Sequence, residues 1–335
     1  MTANWSRITA LTCFASLAVA TTARPDERPK GYKQVVPRGR IAAIDVPRFV
    51  PASTARIPGD AWVLGVVVNG EARAYSLNLL NQHEVVNDHA GDTSFAVVWC
   101  PLANAGVVYG RDYGGQKLRF EASGGLLNSA LVMRDRQTGS YWPIITGAAA
   151  TGKLKGTRLE ELAVGMKTTW SDWVRRHPAT VALSAGGVEH VQNNPYDQYF
   201  ASDSGFREAS AQDKRLPTKE PVWAFELDGR RFAVPFRAFE GGAVFRLGDE
   251  WIFLYRRKGA SIYASTRALV SSGEVRRTGD GWVHEPSGGR YDLAQGSFAG
   301  VGAGDLRALA GLDTFWYVWS LTHPDTEVLA APAYR

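Results

Sequence analysis

The stretch LGVVVNGEARAYSL, residues 64–77, is the clearest indication of the fold in this chain. Apolar runs from Leu64 to Val68 and from Ala72 to Leu77 flank the pair Asn69-Gly70. An Asn-Gly pair between two such runs is a strong short-range indication of a β-hairpin with a type I′ turn. The stretch therefore predicts two antiparallel strands joined by a two-residue loop.

The same pattern returns in the second half of the chain. Apolar runs over Trp223–Leu227 and Phe232–Phe236 flank the pair Asp228-Gly229, which favours the same turn. In the first half, Phe95–Cys100 is a strand candidate. We expect Trp251–Tyr255, followed by Ser261–Ala264, to match the strands around Cys100.

A tryptophan-rich block also occurs twice, with identical spacing. Its residues are Thr169, Trp170, Trp173, His177, Pro178, Thr180 and Leu183, and then Phe315, Trp316, Trp319, His323, Pro324, Thr326 and Leu329. In the first copy, Trp170, Trp173 and His177 fall on one face of a helix, with Thr168 as the expected N-cap. We expect the tryptophans to be core residues and the two histidines to make structural hydrogen bonds to the following turn.

These repeats predict a mainly β protein (a β-rich α+β fold). We expect two tandem copies of one β-rich unit with short helices, related by a pseudo-twofold axis. The predicted divisions are a signal peptide at 1–20, an N-terminal arm at 21–61, a first repeat at 62–183, a connector at 184–220 and a second, degenerate repeat at 221–335. A connector of this length is either a lid over a site or a plain linker.

The first twenty residues predict export. Arg7 precedes the apolar run 8–17, and Ala18-Val19-Ala20 supplies the small residues of a signal-peptidase site. The run is too short for a stable membrane span. We therefore expect a periplasmic or secreted protein, in which Cys100 is the only thiol left after cleavage and no internal disulfide forms.

Composition excludes several other classes. Hydrophobic residues make up 45% of the 335 residues and charged residues 21%, so the chain can form a core and is not disordered. The 38 basic and 33 acidic residues form no long basic run, which argues against nucleic-acid binding. No phosphate-binding loop or serine-hydrolase motif is present, so we expect no nucleotide cofactor. A small molecule or a metal ion is the expected partner, and a protein partner stays open.

Features that occur in one repeat alone are candidates for function. The first repeat has His83, Glu84, Asn87, Asp88 and Cys100, where the second has Gly241-Gly242 and Arg256. Cys100 ends an apolar strand and is followed by a turn that contains a proline, a usual position for reactive side chains. The candidate site is therefore centred on His83 and Cys100, with Asp88, Glu84 and Asn87 in support.

Three interpretations of this site remain open. The interpretation that the sequence favours is a metal site: His83 and Cys100 bind copper or zinc, His89 and Met133 could complete the ligand set, and the metal would serve redox or hydrolytic chemistry. Alternatively, Cys100 is a catalytic nucleophile whose pKa is lowered by His83, with Asp88 or Glu84 orienting the imidazole. In the third, Cys100 is a buried core residue. The protein would then be a non-catalytic ligand-binding or scaffold protein that uses an aromatic cleft between the repeats.

Longer motifs carry a resemblance to a known family. They are Asn69–Tyr75, Asn81–Asp88, Cys100–Leu102, Leu127–Ser129, Leu131–Ser140, Thr168–Trp170, His177-Pro178 and Arg215–Pro217. Over nearly all of the mature length the chain resembles the bacterial domain-of-unknown-function family 3179. The resemblance implies an exported protein with His83, Asp88 and Cys100 in the family signature, and no assigned activity. Many members carry a polar or sulfur-containing residue where this chain has Ala103, so a two-cysteine redox pair is excluded here.

Overall fold

The structure is a computed structural model that describes residues 26–162, 165–279, 281–302, 304–330 and 332. The signal peptide predicted over residues 1–20 lies outside this part of the chain. Within it, short strands predominate over four short α-helices, which confirms the prediction of a mainly β protein. No helix in these ranges is long and apolar enough to cross a membrane.

The strands of the first half are β1 (Lys33–Gln34), β2 (Arg48–Pro51), β3 (Trp62–Val68), β4 (Glu71–Ser76), β5 (Val85–Ala90), β6 (Thr93–Cys100), β7 (Ala105–Gly110), β8 (Asp112–Tyr113), β9 (Gln116–Lys117), β10 (Phe120–Leu127), β11 (Ala130–Asp135), β12 (Tyr141–Pro143), β13 (Gly165–Thr169) and β14 (Val181–Ser184). Those of the second half are β15 (Pro221–Leu227), β16 (Arg230–Pro235), β17 (Ala243–Leu247), β18 (Glu250–Tyr255), β19 (Arg267–Ser271), β20 (Val275–Thr278), β21 (Gly281–His284), β22 (Gly289–Asp292), β23 (Ser297–Phe298), β24 (Leu306–Ala308), β25 (Leu312–Phe315) and β26 (Glu327–Val328). The α-helices are α1 (Leu77–His83), α2 (Trp170–Arg176), α3 (Asp197–Ala201) and α4 (Trp316–Thr322), and single 3-10 turns cover Pro101–Ala103, Phe206–Glu208 and Phe236–Ala238.

Two of the sheets share the order of four strands, and the first has a fifth strand, β2, paired antiparallel with β14. In the first sheet, β13 pairs antiparallel with β3 of the β3–β4 hairpin, and β14 pairs parallel with β4. In the second, β25 pairs antiparallel with β15 of the β15–β16 hairpin, and β26 pairs parallel with β16. Helix α2 connects β13 to β14, and α4 connects β25 to β26. The strand order thus follows the repeated sequence blocks, while the duplication and the pseudo-twofold relation stay predictions.

Both hairpin turns have the backbone that their sequences favour. Asn69 and Gly70 have φ angles of 51° and 79°, and Asp228 and Gly229 have 50° and 73°. A type I′ turn needs positive φ at both central residues, and Asn, Asp and Gly tolerate this conformation best. The predicted hairpins are therefore present in both halves.

The tryptophans of the repeated block are buried between helix and sheet. The ring of Trp173 lies so close to β3 that a Cβ on Gly65 would be 2.3 Å from it, so glycine is required there. The side chain of Thr169, rather than that of Thr168, caps α2 by accepting from the backbone N–H of Asp172. The predicted cap was wrong by one residue: the Thr168 hydroxyl donates to the Asp172 carboxylate instead of accepting from the backbone of the first turn.

The two repeated histidines stack on tryptophans of their own helices. The ring centroids are 4.2 Å apart for His177 and Trp173, and 4.4 Å apart for His323 and Trp319. The following turn is bonded through the backbone instead, since Thr180 donates its N–H to the His177 carbonyl. The histidines are thus structural, as expected, with aromatic contact as the main role of their rings.

A three-stranded antiparallel sheet, β5-β6-β7, carries Cys100 at the end of β6. Alternate residues of β6 face two cores: Cys100 belongs to the largest buried cluster, and Trp99 belongs to a second one. In the second half, the strand predicted over Ser261–Ala264 was wrong. That segment forms a loop, and β19 begins at Arg267. The loop carbonyls of Ser261 and Ala264 accept hydrogen bonds from the Arg256 guanidinium, so they are not available to a sheet.

Candidate active site around Cys100

Cys100 is a fully buried free thiol, with 1% of its surface exposed. Burial raises the pKa of this thiol to about 12, and the negative charge of Glu84 acts in the same direction. Hydrogen bonds from the backbone of Leu131, Ala103 and Leu102 oppose this and favour the thiolate. Two of these donors belong to the 3-10 turn that Pro101 starts directly after the cysteine. The turn therefore supplies hydrogen-bond donors to the Cys100 thiolate, the charged state that burial disfavours.

Glu84 lies at the C-terminal end of α1, in an unusual backbone conformation. Its φ of 58° is positive, which is uncommon for a residue other than glycine. Two backbone hydrogen bonds hold it there: its N–H donates to Leu80 O at 2.7 Å, and its carbonyl accepts from Trp99 N–H at 2.9 Å. Because the second bond reaches β6, the strand that carries Cys100 also fixes the position of Glu84.

The Glu84 carboxyl group is buried, with 8% of the residue exposed, and burial raises its pKa to about 8. Among the described residues, no side-chain hydrogen bond or ion pair reaches this carboxyl. A buried carboxyl without a partner is costly, and such groups with a pKa near neutrality are concentrated at functional sites. The group can therefore change its protonation state near neutral pH beside the thiol.

Three phenol groups complete the surroundings of the thiol. The Tyr199 hydroxyl donates to Leu102 O at 2.6 Å and lies 2.9 Å from the Tyr317 hydroxyl. Burial raises the pKa of Tyr196, and the charges of Glu84 and Cys100 raise it further. Cys100, Glu84, Tyr196, Tyr199 and Tyr317 are together called the thiol site. They come from β6, the end of α1, the connector and α4, so long-range packing assembles the site.

The connector at 184–220 covers the thiol site. It brings α3, with Tyr199, onto the turn after Cys100, and Phe200 packs on Phe315 with a centroid distance of 6.0 Å. Lys219 anchors the far end of the segment: its ammonium lies 4.0 Å from the Tyr199 ring centroid and donates to Ser202 O at 2.5 Å. The connector is thus a packed cover over this site.

Asp88 and Asn87 hold strands together through buried side-chain contacts. The Asp88 carboxylate is buried, forms a 2.6 Å ion pair with Arg73 and accepts from the Tyr75 hydroxyl at 2.5 Å. The Asn87 amide donates to Phe120 O at 2.8 Å and accepts from Phe120 N–H at 2.9 Å. All of these contacts are structural, and the catalytic role predicted for Asp88 stays a prediction.

His83 occupies the last position of α1 and is half-buried. Its Nδ1 lies 2.8 Å from the carbonyl oxygen of Ala42. His89 is exposed on β5, whereas Met133 is buried in the cluster that contains Cys100. No group of three or more His, Cys, Asp or Glu residues that could hold a metal ion is found in the described ranges. The copper or zinc site at His83 and Cys100 stays a prediction.

Sequence reasoning named Glu84 as a supporting residue and missed the tyrosines. The sequence feature that could have indicated them is the connector, a mainly polar segment that contains Tyr196, Tyr199 and Phe200. Aromatic residues clustered in a long polar connector indicate that it packs on something. What it packs on could not be inferred locally, because the partner turn is 97 residues away from Tyr199.

The fold and the site define a class: a mainly β protein that contains a buried cysteine and a buried glutamate under an aromatic cover. A family model described as a protein of unknown function (DUF3179) matches residues 38–326, nearly the whole chain. The chain belongs to the DUF3179 family. No curated protein and no solved structure matches the chain.

Proposed function

We propose that this protein is a cysteine-dependent enzyme, with Cys100 as nucleophile, Glu84 as general base and the connector as a movable cover. The observation that carries the proposal is the unpartnered Glu84 carboxyl, buried beside a buried thiol. A nucleophile next to a base of suitable pKa is the common arrangement of covalent catalysis. The proposed place of action is the periplasm or the cell exterior.

The reaction class is attack on an electrophilic carbonyl carbon. The Cys100 sulfur forms a bond to this carbon while its proton passes to the Glu84 carboxylate, directly or through a water molecule. The electron pair of the carbonyl bond moves to oxygen and returns as the bond to the leaving group breaks, and the leaving group takes the proton from Glu84. Water then cleaves the thioester and regenerates the thiol. The backbone donors at Leu102 and Ala103 favour the thiolate in the first step.

A bound zinc or copper ion at Cys100 is the second candidate. The same unpartnered Glu84 carboxyl favours it, because a thiolate and a carboxylate are both zinc donors. Further donors would have to come from residues that move, His83 among them. Metal content and thiol reactivity separate the two candidates.

Thiol labelling in the native state tests the enzyme proposal. The chain has a second cysteine, so the experiment uses a Cys13→Ser background and follows iodoacetamide modification by mass spectrometry. We expect labelling of Cys100 without unfolding, at a rate that falls in Glu84→Gln. Hydrolysis of 4-nitrophenyl acetate should disappear in Cys100→Ser. Labelling that tracks global unfolding in every variant would instead identify Cys100 as a core residue and overturn the proposal.

A further inference from the structure

A second site of a different character lies between the two halves of the molecule. It is a cleft of about 690 Å³ bounded by β13 and α2 on one side and by the loop after β18, β19 and β22 on the other. Its charged lining residues are Lys167, Arg175, Arg176, Arg256, Arg257, Arg267 and Asp172. Six basic groups around one acidic group give the cleft a strong positive charge. We call it the basic cleft.

The inner wall of the basic cleft contains two buried cations and one counterion. Lys167 is 3% exposed and donates to Asn104 O at 2.6 Å, and Arg256, equally buried, pairs with Asp313 at 3.6 Å. Burial lowers the pKa of Lys167 to about 8, and the charge of Arg256 lowers it further. The Asp313 charge acts on both cations, and that of Glu240 acts on Arg256 as well. The Asp313 carboxylate also accepts a hydrogen bond from the backbone N–H of Thr266 at 3.0 Å.

Arg267 also lines the basic cleft and is partly buried. Its guanidinium contacts the Met166 sulfur, and the ion pairs of the described residues give it no carboxylate partner. Nearby Asp172 is shared by Arg175 and Arg176, which bind it through both oxygens. Burial lowers the pKa of Arg267 and the charge of Arg176 acts the same way, whereas Tyr291 and Asp172 raise it. A partly buried guanidinium that forms no ion pair of its own is a typical anchor for an oxyanion.

The rest of the lining suits a flat apolar body. Tyr255 and Tyr291 lie side by side with ring centroids 5.1 Å apart, and Trp62 and Leu293 complete the apolar surface. The volume falls within the range of small-molecule sites, about 300–1,000 Å³. Aromatic walls with a few oriented charged groups are the usual composition of such sites.

We infer that the basic cleft binds a small organic anion, with its carboxylate or phosphate group at Arg267 and its flat apolar body against Tyr255 and Tyr291. The ligand would bridge the two halves of the molecule, because its contacts come from both. Lys167 also connects the basic cleft to the thiol site, since Asn104, which it contacts, follows the 3-10 turn after Cys100.

Isothermal titration calorimetry on the full chain tests this inference with phenyl phosphate and benzoate as probes. Inorganic phosphate and benzyl alcohol serve as comparators that lack the ring or the charge. We expect saturable binding of at least one aromatic anion, weakened about tenfold to a hundredfold in Arg267→Gln through loss of charged hydrogen bonds. Arg277→Gln removes the same charge from exposed β20 and should leave the affinity unchanged.

The outcomes are distinct from those of the enzyme proposal. Cys100→Ser should bind the probe as the parent chain does, so a failure of thiol chemistry leaves this result intact. Preference for phenyl phosphate or for benzoate would identify the anionic group. Equal weakening by both arginine variants, binding of inorganic phosphate as tight as that of the aromatic probes, or no saturable binding would each overturn the inference. Circular dichroism of each variant checks that it is folded.

Discussion

The hydroxyl of Tyr199 donates a 2.6 Å hydrogen bond to the carbonyl oxygen of Leu102, two residues beyond the buried thiol of Cys100. Tyr317 donates to the same oxygen at 3.3 Å. The connector and α4 therefore meet on the turn that carries the backbone donors to the sulfur. Access to Cys100 depends on how firmly Tyr199 holds this contact.

Removing this one hydroxyl should loosen the cover without disturbing the core. In Tyr199→Phe the ring remains and the hydrogen bond to Leu102 is lost, a change worth about 0.5–1.5 kcal/mol. We expect iodoacetamide to label Cys100 several-fold faster in this variant, measured by mass spectrometry on the Cys13→Ser background. Tyr113→Phe, on an exposed strand, is the matched control. An unchanged labelling rate would show that the connector does not control access.

Glu84 should make stability decrease as the pH rises. Its pKa is about 8 in the folded protein, against an ordinary value of 4.5, so between these values the folded state holds a proton that the unfolded state has released. The stabilisation is complete below pH 4.5 and is lost as the pH rises through 8, at most about 5 kcal/mol. Glu84→Gln should flatten this dependence in urea unfolding measured from pH 4.5 to 9. Glu160→Gln, at an exposed position, should not.

The close approach of Trp173 to Gly65 gives a prediction about stability alone. A methyl group at Gly65 would be 2.3 Å from the indole ring, so Gly65→Ala must displace the tryptophan. We expect a loss of about 1–3 kcal/mol in the free energy of unfolding, measured by urea denaturation. Gly59→Ala is the control, because its added methyl meets Ser171 at an ordinary 3.6 Å. Equal stability of the two variants would contradict the proposed packing.

The hairpins were predictable because their determinants are local. Asn69-Gly70 and Asp228-Gly229 fix the turn within two residues, and the flanking runs fix the strands. The loop at Ser261–Ala264 was not predictable in this way. Its carbonyls bind Arg256, and this tertiary contact competes with strand pairing.

The candidate site was predicted in part, for a similar reason. Cys100 at a strand end was evident from the sequence, but the charge that acts on it comes from Glu84 instead of its neighbour His83. Which of two adjacent side chains is buried depends on the backbone at the end of α1, where Glu84 has positive φ and its carbonyl accepts a hydrogen bond from Trp99 N–H. That conformation is fixed by β6 and cannot be inferred from α1 alone.

Metal content distinguishes the second candidate function from the first. Elemental analysis of the purified protein should give less than one equivalent of copper or zinc if Cys100 acts as a nucleophile, since no ready ligand set exists in the described ranges. The metal interpretation requires stoichiometric metal that disappears in both Cys100→Ser and His83→Ala. If bound metal is lost in Cys100→Ser and in Glu84→Gln but kept in His83→Ala, the metal site lies at the thiol and the Glu84 carboxyl instead.

The stacked histidines give an opposite dependence on pH, and the two halves of the molecule provide an internal control. Burial lowers the pKa of His323 from 6.5 to about 4, and the charge of Arg231 adds to this effect. Below pH 6.5 His323 becomes protonated in the unfolded chain but stays neutral in the folded protein. The contribution of His323 to the free energy of unfolding is therefore fully present above pH 6.5 and is lost as the pH falls toward 4. The loss is at most about 3 kcal/mol.

In His323→Gln the free energy of unfolding should decrease less between pH 7 and pH 4, as measured by urea unfolding. His177 is less buried, with a pKa shifted in the same direction, so His177→Gln should change the pH dependence less. The two rings stack on their tryptophans at nearly the same distance, so both variants lose a comparable aromatic contact. A difference in slope between them therefore reports the surroundings of the two rings, in which burial is the largest cause of both pKa shifts. If the slopes are equal, burial of His323 is not the cause of its titration behaviour.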